Sequence, residues 1–150
     1  MIEPITVIIP GDPHGKGRPR FRRNGSTYTP SHTRNYETAV GMITTREMAG
    51  REPITLPVHV ELRAHFPIPK SWSRTKQMDA LVGRIRPTGG FDIDNICKAV
   101  LDGMNKIAYR DDSLVVSIHA SKVYGPKPFV VATIKPITGS EATEDQSQEK

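Results

Sequence analysis

The stretch FDIDNICKAVLDGMNKIAYRDDSLVVSIHASKVYG, residues 91–125, predicts a helix, a turn and a strand in succession. Apolar residues recur at helical spacing from Ile93 to Ile107, which predicts a helix over 92–107. A polar turn at 109–113 follows, and the run rich in β-branched residues after it predicts a strand over 114–123. The fold then depends on which further strands and helices the rest of the chain supplies.

Those further elements are predicted on both sides of this unit. The patterns indicate a strand over 5–9, a helix from Ser31 or Thr33 to about Ala49, a strand over 57–66, a short helix near 74–82 and a last strand near 129–134. This order favours an α/β (α+β) fold, with a small mixed sheet of about four strands and two main helices packed on it. We expect the last two strands to form an antiparallel hairpin. The Gly/Pro-rich residues 11–30 predict an extended surface loop with little regular structure.

Length and composition predict one intracellular domain. The 150 residues match the usual size of a single domain, which we place at 1–138, and the polar residues 139–150 indicate a disordered acidic tail. Apolar runs such as ITVII are far shorter than the ~20 residues that cross a bilayer, and the N-terminus lacks the pattern of a signal peptide. The single cysteine, Cys97, excludes an intramolecular disulfide and agrees with a cytoplasmic location.

Positive charge is concentrated in two segments that are predicted to be loops. The chain has a net charge of +5, although its tail carries four acids against one lysine. Residues 14–36 hold six cations and no acid, and residues 63–91 hold six cations against Asp79. Such segments predict a polyanionic partner rather than a merely solvated surface. The candidate DNA contacts are Lys16, Arg18, Arg20, Arg22, Arg23, Arg34, Arg74, Lys76, Arg84 and Arg86.

Acidic residues are crowded into the stretch quoted above: Asp92, Asp94, Asp102, Asp111 and Asp112. One interpretation is structural, because Asp92 stands where a helix N-cap is expected and carboxylates are favourable in a first helical turn. The other is a hard divalent cation such as Mg²⁺, held by Asp92, Asp94 and one of the later pair. Lys98 lies on the same helix face as Asp94, whereas Asp102 lies further along the helix and is predicted to be structural.

Carboxylates that hold a cation beside basic loops indicate phosphodiester hydrolysis. Residues 91–125 resemble the signature segment of RusA-type Holliday junction resolvases, in which a D-x-D-N-x-x-K helix is followed by a D-D turn and a strand. The sequence GKGRPRFRRNGSTYTP, residues 15–30, also resembles the basic loop of that family, which is often encoded by prophages. The matched regions cover about half of the chain, and the spacing from Lys98 to the Asp pair is about one residue shorter than the family pattern.

The resemblance implies a RusA-like fold and a Mg²⁺-dependent homodimer that resolves four-way DNA junctions by paired symmetric nicks, in recombination and repair. Mn²⁺ is the alternative ion, and neither a small-molecule cofactor nor a membrane is implied. Asp92, Asp94 and Asp112 match the metal-binding aspartates and Lys98 the essential lysine, and together these four form the implied catalytic set. The shorter spacing leaves Asp111 as an alternative to Asp112. The resemblance also implies a cytoplasmic, nucleoid-associated enzyme.

The rival hypothesis is a non-catalytic DNA-binding module, whose acids only cap a helix and balance nearby cations.

Overall fold

The computed structural model describes residues 2–17, 20–28 and 31–139. Arg18, one of the predicted DNA contacts, and residues 140–150 of the predicted tail lie outside these ranges. The strands are β1 (Ile5–Pro10), β2 (Arg20–Phe21), β3 (Thr27–Tyr28), β4 (Val58–Pro67), β5 (Val115–Gly125) and β6 (Phe129–Pro136). The helices are α1 (Ser31–Met48), α2 (Arg74–Leu81) and α3 (Ile93–Met104), and a short 3-10 turn spans Asp112–Leu114.

A four-stranded mixed sheet with the order β1-β6-β4-β5 forms the body of the fold. Strand β6 is antiparallel to both β1 and β4, and β5 is parallel to β4. Leu62 in the middle of β4 therefore lies opposite Ala132 of β6 on one side and Ala120 of β5 on the other. The predicted α+β class, with a small mixed sheet and two main helices, is confirmed.

The predicted hairpin between the last two strands is wrong, because β4 lies between them. The chain from β4 through α2 and α3 returns to place β5 beside β4 in parallel, as a crossover connection does. Strand β6 then occupies the gap between β4 and β1. The three-residue connection 126–128 steps past the end of β4, and Pro126 and Pro128 within it lack the N–H groups of a tight hairpin turn.

Two other predictions differ from the structure in extent. Residues 20–28, predicted as irregular loop, contain a two-stranded hairpin in which Arg20 pairs with Tyr28 and Phe21 with Thr27. Helix α3 ends at Met104 rather than near Ile107, and Lys106 has a φ of 67°. Ile107 continues the apolar spacing of the helix although the backbone has already turned, because a side chain can pack on the core from a turn as well as from a helix.

The core lies between one face of the sheet and the two long helices. Alternate residues of β1, β4 and β6 are buried on this face, together with Val40 of α1 and Ile96 and Val100 of α3. The helices approach closely at Gly103, where an added Cβ would lie 2.7 Å from the Cβ of Val40. The core therefore determines the position of α3, which carries the predicted acidic residues. The other sheet face stays largely exposed.

Candidate active site

Asp92 and Asp94 lie at the start of α3 with exposed side chains. Asp92 occupies the N-cap position with an extended backbone, but its side chain makes no capping hydrogen bond. The Asp92 carboxylate therefore does not cap the helix, although the residue occupies the N-cap position. Because both residues are exposed, an ion or a phosphate group can reach their carboxylates.

Lys98 follows Asp94 by one helical turn and is also exposed. At this i,i+4 spacing, a purely structural use of the two charges would be an ion pair between them. Among the residues that the structure describes, however, Lys98 forms no ion pair. Its ammonium group is therefore available to an anionic ligand near the start of α3.

Asp111 and Asp112 differ in what their side chains do. The Asp111 carboxylate accepts a hydrogen bond from the Ser113 backbone N–H at 3.1 Å and so caps the 3-10 turn. Hydrogen bonding by Ser113 lowers the pKa of Asp111 below its ordinary value. Asp112 is exposed at the start of that turn. Of the two, Asp111 has the structural role, which favours Asp112 as the candidate ligand.

The position of Asp112 relative to α3 follows from Tyr109. The Tyr109 hydroxyl is buried and donates to the Leu101 carbonyl at 2.6 Å, and burial, with the Asp102 and Asp112 carboxylates nearby, raises the pKa of this phenol. Leu101 lies about 10 Å along the helix axis from Asp94. Asp112 follows Tyr109 by only three residues, so it lies nearer the second half of α3 than the start of that helix.

The separation of Asp112 from the start of α3 determines whether the predicted site can have three carboxylates. Across residues 2–17, 20–28 and 31–139, no three carboxylate, imidazole or thiol groups are arranged to hold one metal ion. The structure brings Asp92 and Asp94 together at one helix end but does not add Asp112 to them. A two-carboxylate donor set still fits Mg²⁺, which is commonly held by one or two carboxylates while waters and substrate phosphate complete its coordination.

The basic loop, residues 14–28, is attached directly to α3. The Lys16 backbone N–H donates to the Asn95 carbonyl at 2.9 Å. The Lys16 side chain forms ion pairs with Asp102 of α3 and, at 3.3 Å, with Glu37 of α1. Asp102 therefore has the structural role that its position predicted. The two ion pairs hold the Lys16 ammonium group within the protein. The loop is held beside the acidic end of the helix.

An aromatic contact makes a second attachment, which sequence reasoning missed. The His14 ring lies 4.6 Å from the Phe91 ring and 5.6 Å from the Tyr36 ring, measured between centroids. The Phe91 ring leaves no space for a side chain at Gly15, because an added Cβ would lie 2.5 Å from a ring carbon. Burial raises the pKa of Tyr36 to about 12, so its phenol stays neutral. The only sequence signal was an aromatic residue directly before Asp92.

The remaining predicted DNA contacts lie on the surface in two groups. Arg22, Arg23 and Arg34 are exposed around the basic loop, and Arg74, Lys76, Arg84 and Arg86 are exposed on and after α2. Arg84 pairs with Asp79 at 3.1 Å, and the Lys76 ammonium lies 4.1 Å from the centre of the Trp72 ring. Trp72 itself packs edge-on against Tyr124. The side chain of Arg20 lies outside the part of the chain that the structure describes.

Exposed carboxylates at a helix start, a lysine one turn away that has no ion pair within the described part of the chain, and a basic loop attached alongside are features of a metal-dependent nuclease. The family model for endodeoxyribonuclease RusA matches residues 10–135, and the chain belongs to this family of DNA endonucleases. Membership implies resolution of Holliday junctions, dependence on a divalent metal and DNA as the partner. The chain is also 33% identical over 139 residues to the uncharacterized protein YqaN of Bacillus subtilis (strain 168), covering 89% of this chain and 97% of that protein.

Within the described residues, none of the helices has the length and apolar character needed to cross a bilayer.

Proposed function

We propose that this chain resolves four-way DNA junctions by paired symmetric nicks, with Mg²⁺ or Mn²⁺ as the cofactor, during recombination and repair. The observation that carries the proposal is the exposed group at the start of α3, where Asp92 makes no capping bond and Lys98 makes no ion pair among the described residues. A purely structural role would use these groups for capping and charge balance. Association with the nucleoid would follow from DNA binding.

Each residue of the proposed site has a distinct role. Asp92 and Asp94 would hold the ion, with Asp112 as a further acidic group facing the helix. When bound, the ion supplies Lewis-acid polarisation of the scissile phosphate. Lys98 stabilises the negative charge that builds on the phosphate or on the leaving oxygen. The arginines of the basic loop hold the DNA backbone so that the scissile phosphate lies over the start of α3.

Paired nicking requires two active sites in one complex, and the sequence contains one acidic set. The proposed species is therefore a homodimer with two-fold symmetry, because an isologous interface sets two identical sites at a fixed separation. Sedimentation with junction DNA tests this point. A dimer of about twice 16.6 kDa is expected, and a monomer that makes paired nicks would contradict the proposal.

The decisive experiment separates cutting from binding. The purified protein is incubated with a synthetic four-way junction in Mg²⁺, in Mn²⁺ and in EDTA, and both band shift and strand cleavage are measured. We expect binding in all three and symmetric cleavage only with a divalent ion. Binding without cleavage in any condition would favour the non-catalytic DNA-binding module.

A further inference from the structure

The open sheet face is the side of β4, β5 and β6 that α1 and α3 do not cover. Two adjoining grooves lie on it, with volumes of about 400 Å³ and about 510 Å³. The first lies along the strands, and the second lies between β5 and the C-terminal end of α2. Both are lined by Arg63, His65, His119 and Ser121, and Arg86 lines the second. The grooves therefore form one continuous surface, in which these polar side chains lie beside apolar ones such as Leu81, Val82 and Val131.

The charge of this surface is positive. Of the residues that the structure describes, Glu61 is the single acid that lines either groove. It already pairs with Lys135 at 3.3 Å and lies 3.7 Å from the His59 ring. Arg63 and Arg86 are exposed, and among the described residues neither has an acidic partner. Two exposed guanidinium groups without counter-ions mark a surface that suits an anion with repeated charges.

The side chains of this surface favour binding of a phosphate backbone over binding of unstacked bases. Proteins that hold single strands present exposed aromatic rings on which bases stack. On the open face, the Phe129 ring is instead stacked on His65 with centroids 4.1 Å apart, and the Tyr124 ring packs edge-on against Trp72; all three residues on this face are half-buried. Guanidinium and imidazole N–H groups and the Ser121 hydroxyl remain as donors, which are groups that contact phosphate and sugar in duplex DNA.

The location of the surface separates it from the candidate active site. Asp92 and Asp94 belong to α3, which packs on the opposite face of the sheet, so the two regions lie on different sides of that layer. A duplex whose scissile phosphate lies at the start of α3 is therefore held on the helix side of the sheet, whereas the open face is on the other side. A branched substrate has arms that diverge from the cleavage point, and a second arm can reach it.

We propose that the open sheet face, centred on Arg63 and Arg86, binds the phosphate backbone of a second duplex arm of the branched substrate. This inference rests on the proposed function and assigns the face a specific task, which is to favour branched over linear DNA. The neutral form of His65 serves as a hydrogen-bond donor there, because burial and the neighbouring Arg63 lower the pKa of its imidazole.

The test compares binding of a four-way junction and of a linear duplex with the same arm sequence, in EDTA, by fluorescence anisotropy over a range of salt. Arg63→Gln and Arg86→Gln are each expected to lower the log–log salt slope for the junction by ~0.9, with a much smaller change for the duplex. Between 50 and 200 mM salt, this corresponds to a roughly three- to four-fold smaller loss of junction affinity for each arginine. Arg63→Lys should keep the slope of the unaltered protein.

Arg46→Gln is the matched control, since Arg46 is an exposed arginine in the last turn of α1, away from the open face. It should leave both affinities and both slopes unchanged. Equal slopes for Arg63→Gln, Arg86→Gln and Arg46→Gln would overturn the proposal. Sedimentation would also overturn the proposal if Arg63→Gln or Arg86→Gln were monomeric while the unaltered protein is a dimer. The open face would then be an interface between two copies of the chain. Junction cleavage by the unaltered protein in Mg²⁺ tests the proposed function separately.

Discussion

The Lys16 ammonium group forms an ion pair with the Asp102 carboxylate and thereby ties the basic loop to α3. The two residues are 86 positions apart in the sequence, and both side chains are partly buried. The hydrogen bond to Asp102 raises the pKa of Lys16. The stabilisation is therefore fully present below the unfolded value of 10.5 and is lost only as the pH rises through the higher folded pKa.

We expect Asp102→Asn to loosen this attachment without unfolding the protein. The backbone N–H of Lys16, bonded to Asn95, and that of Gly17, bonded to the Thr33 hydroxyl, should exchange with solvent roughly two- to five-fold faster, which corresponds to the loss of an ion pair worth up to about 1 kcal/mol. Native-state hydrogen exchange measures this. Asp79→Asn, which breaks the surface pair with Arg84, is the control and should leave both amides unchanged.

Asp94→Asn should abolish cleavage, with at least about a 100-fold fall in rate, while junction binding stays equal or becomes tighter. The substitution removes a charge that would hold the ion and also removes repulsion of the phosphate. Cleavage in Mg²⁺ and anisotropy in EDTA report the two effects. Glu47→Gln, at an exposed acid on α1, should change neither. An Asp94→Asn protein that loses both binding and fold would indicate a structural role.

The neighbouring acids of the 3-10 turn should respond differently to substitution. Asp111→Ala removes the cap that accepts the Ser113 N–H and should lower the free energy of unfolding, with cleavage largely retained. Asp112→Asn should leave stability close to normal and reduce cleavage. Urea unfolding and junction cleavage distinguish the two, and the opposite pattern would make Asp111 the catalytic acid.

Gly103→Ala should destabilise the protein although alanine is the better helix former. An added Cβ would lie 2.7 Å from the Val40 Cβ and 2.9 Å from the Glu37 carbonyl oxygen, so α1 and α3 must move apart. Overpacking of this kind costs about 1–3 kcal/mol, which exceeds the gain in helix propensity. Gly89→Ala, with open space around it, should lie within about 0.5 kcal/mol of the unaltered protein. Equal stability of the two variants would contradict the close helix crossing.

Cys97 should react slowly with a thiol reagent in the folded protein. The side chain is buried, and burial raises the pKa of its thiol, with the Asp94 carboxylate adding to the effect. Less thiolate and less access together predict a rate at pH 8 at least roughly tenfold below that in guanidinium. Equal rates in the two conditions would show that α3 does not pack as described.

The individual elements follow from the sequence because their signals are local. The alternation in residues 57–66 separates a buried from an exposed face, and this suffices for β4. The helical spacing after Asp92 likewise places Asp92, Asp94 and Lys98 at the exposed start of α3. The apolar spacing alone did not show where that helix ends, since Ile107 packs beside the core from outside the helix.

Tertiary structure decided how the elements meet. The apolar patterns of β4, β5 and β6 satisfy several strand orders, and the order β1-β6-β4-β5 arises only when the crossover through α3 sets β5 beside β4. The link between Lys16 and Asp102, and the gathering of Arg63, His65 and His119 on one open face, depend on that order. Local propensity acts between near neighbours in the chain, whereas strand partners and ion pairs are selected by which packing buries the apolar faces together.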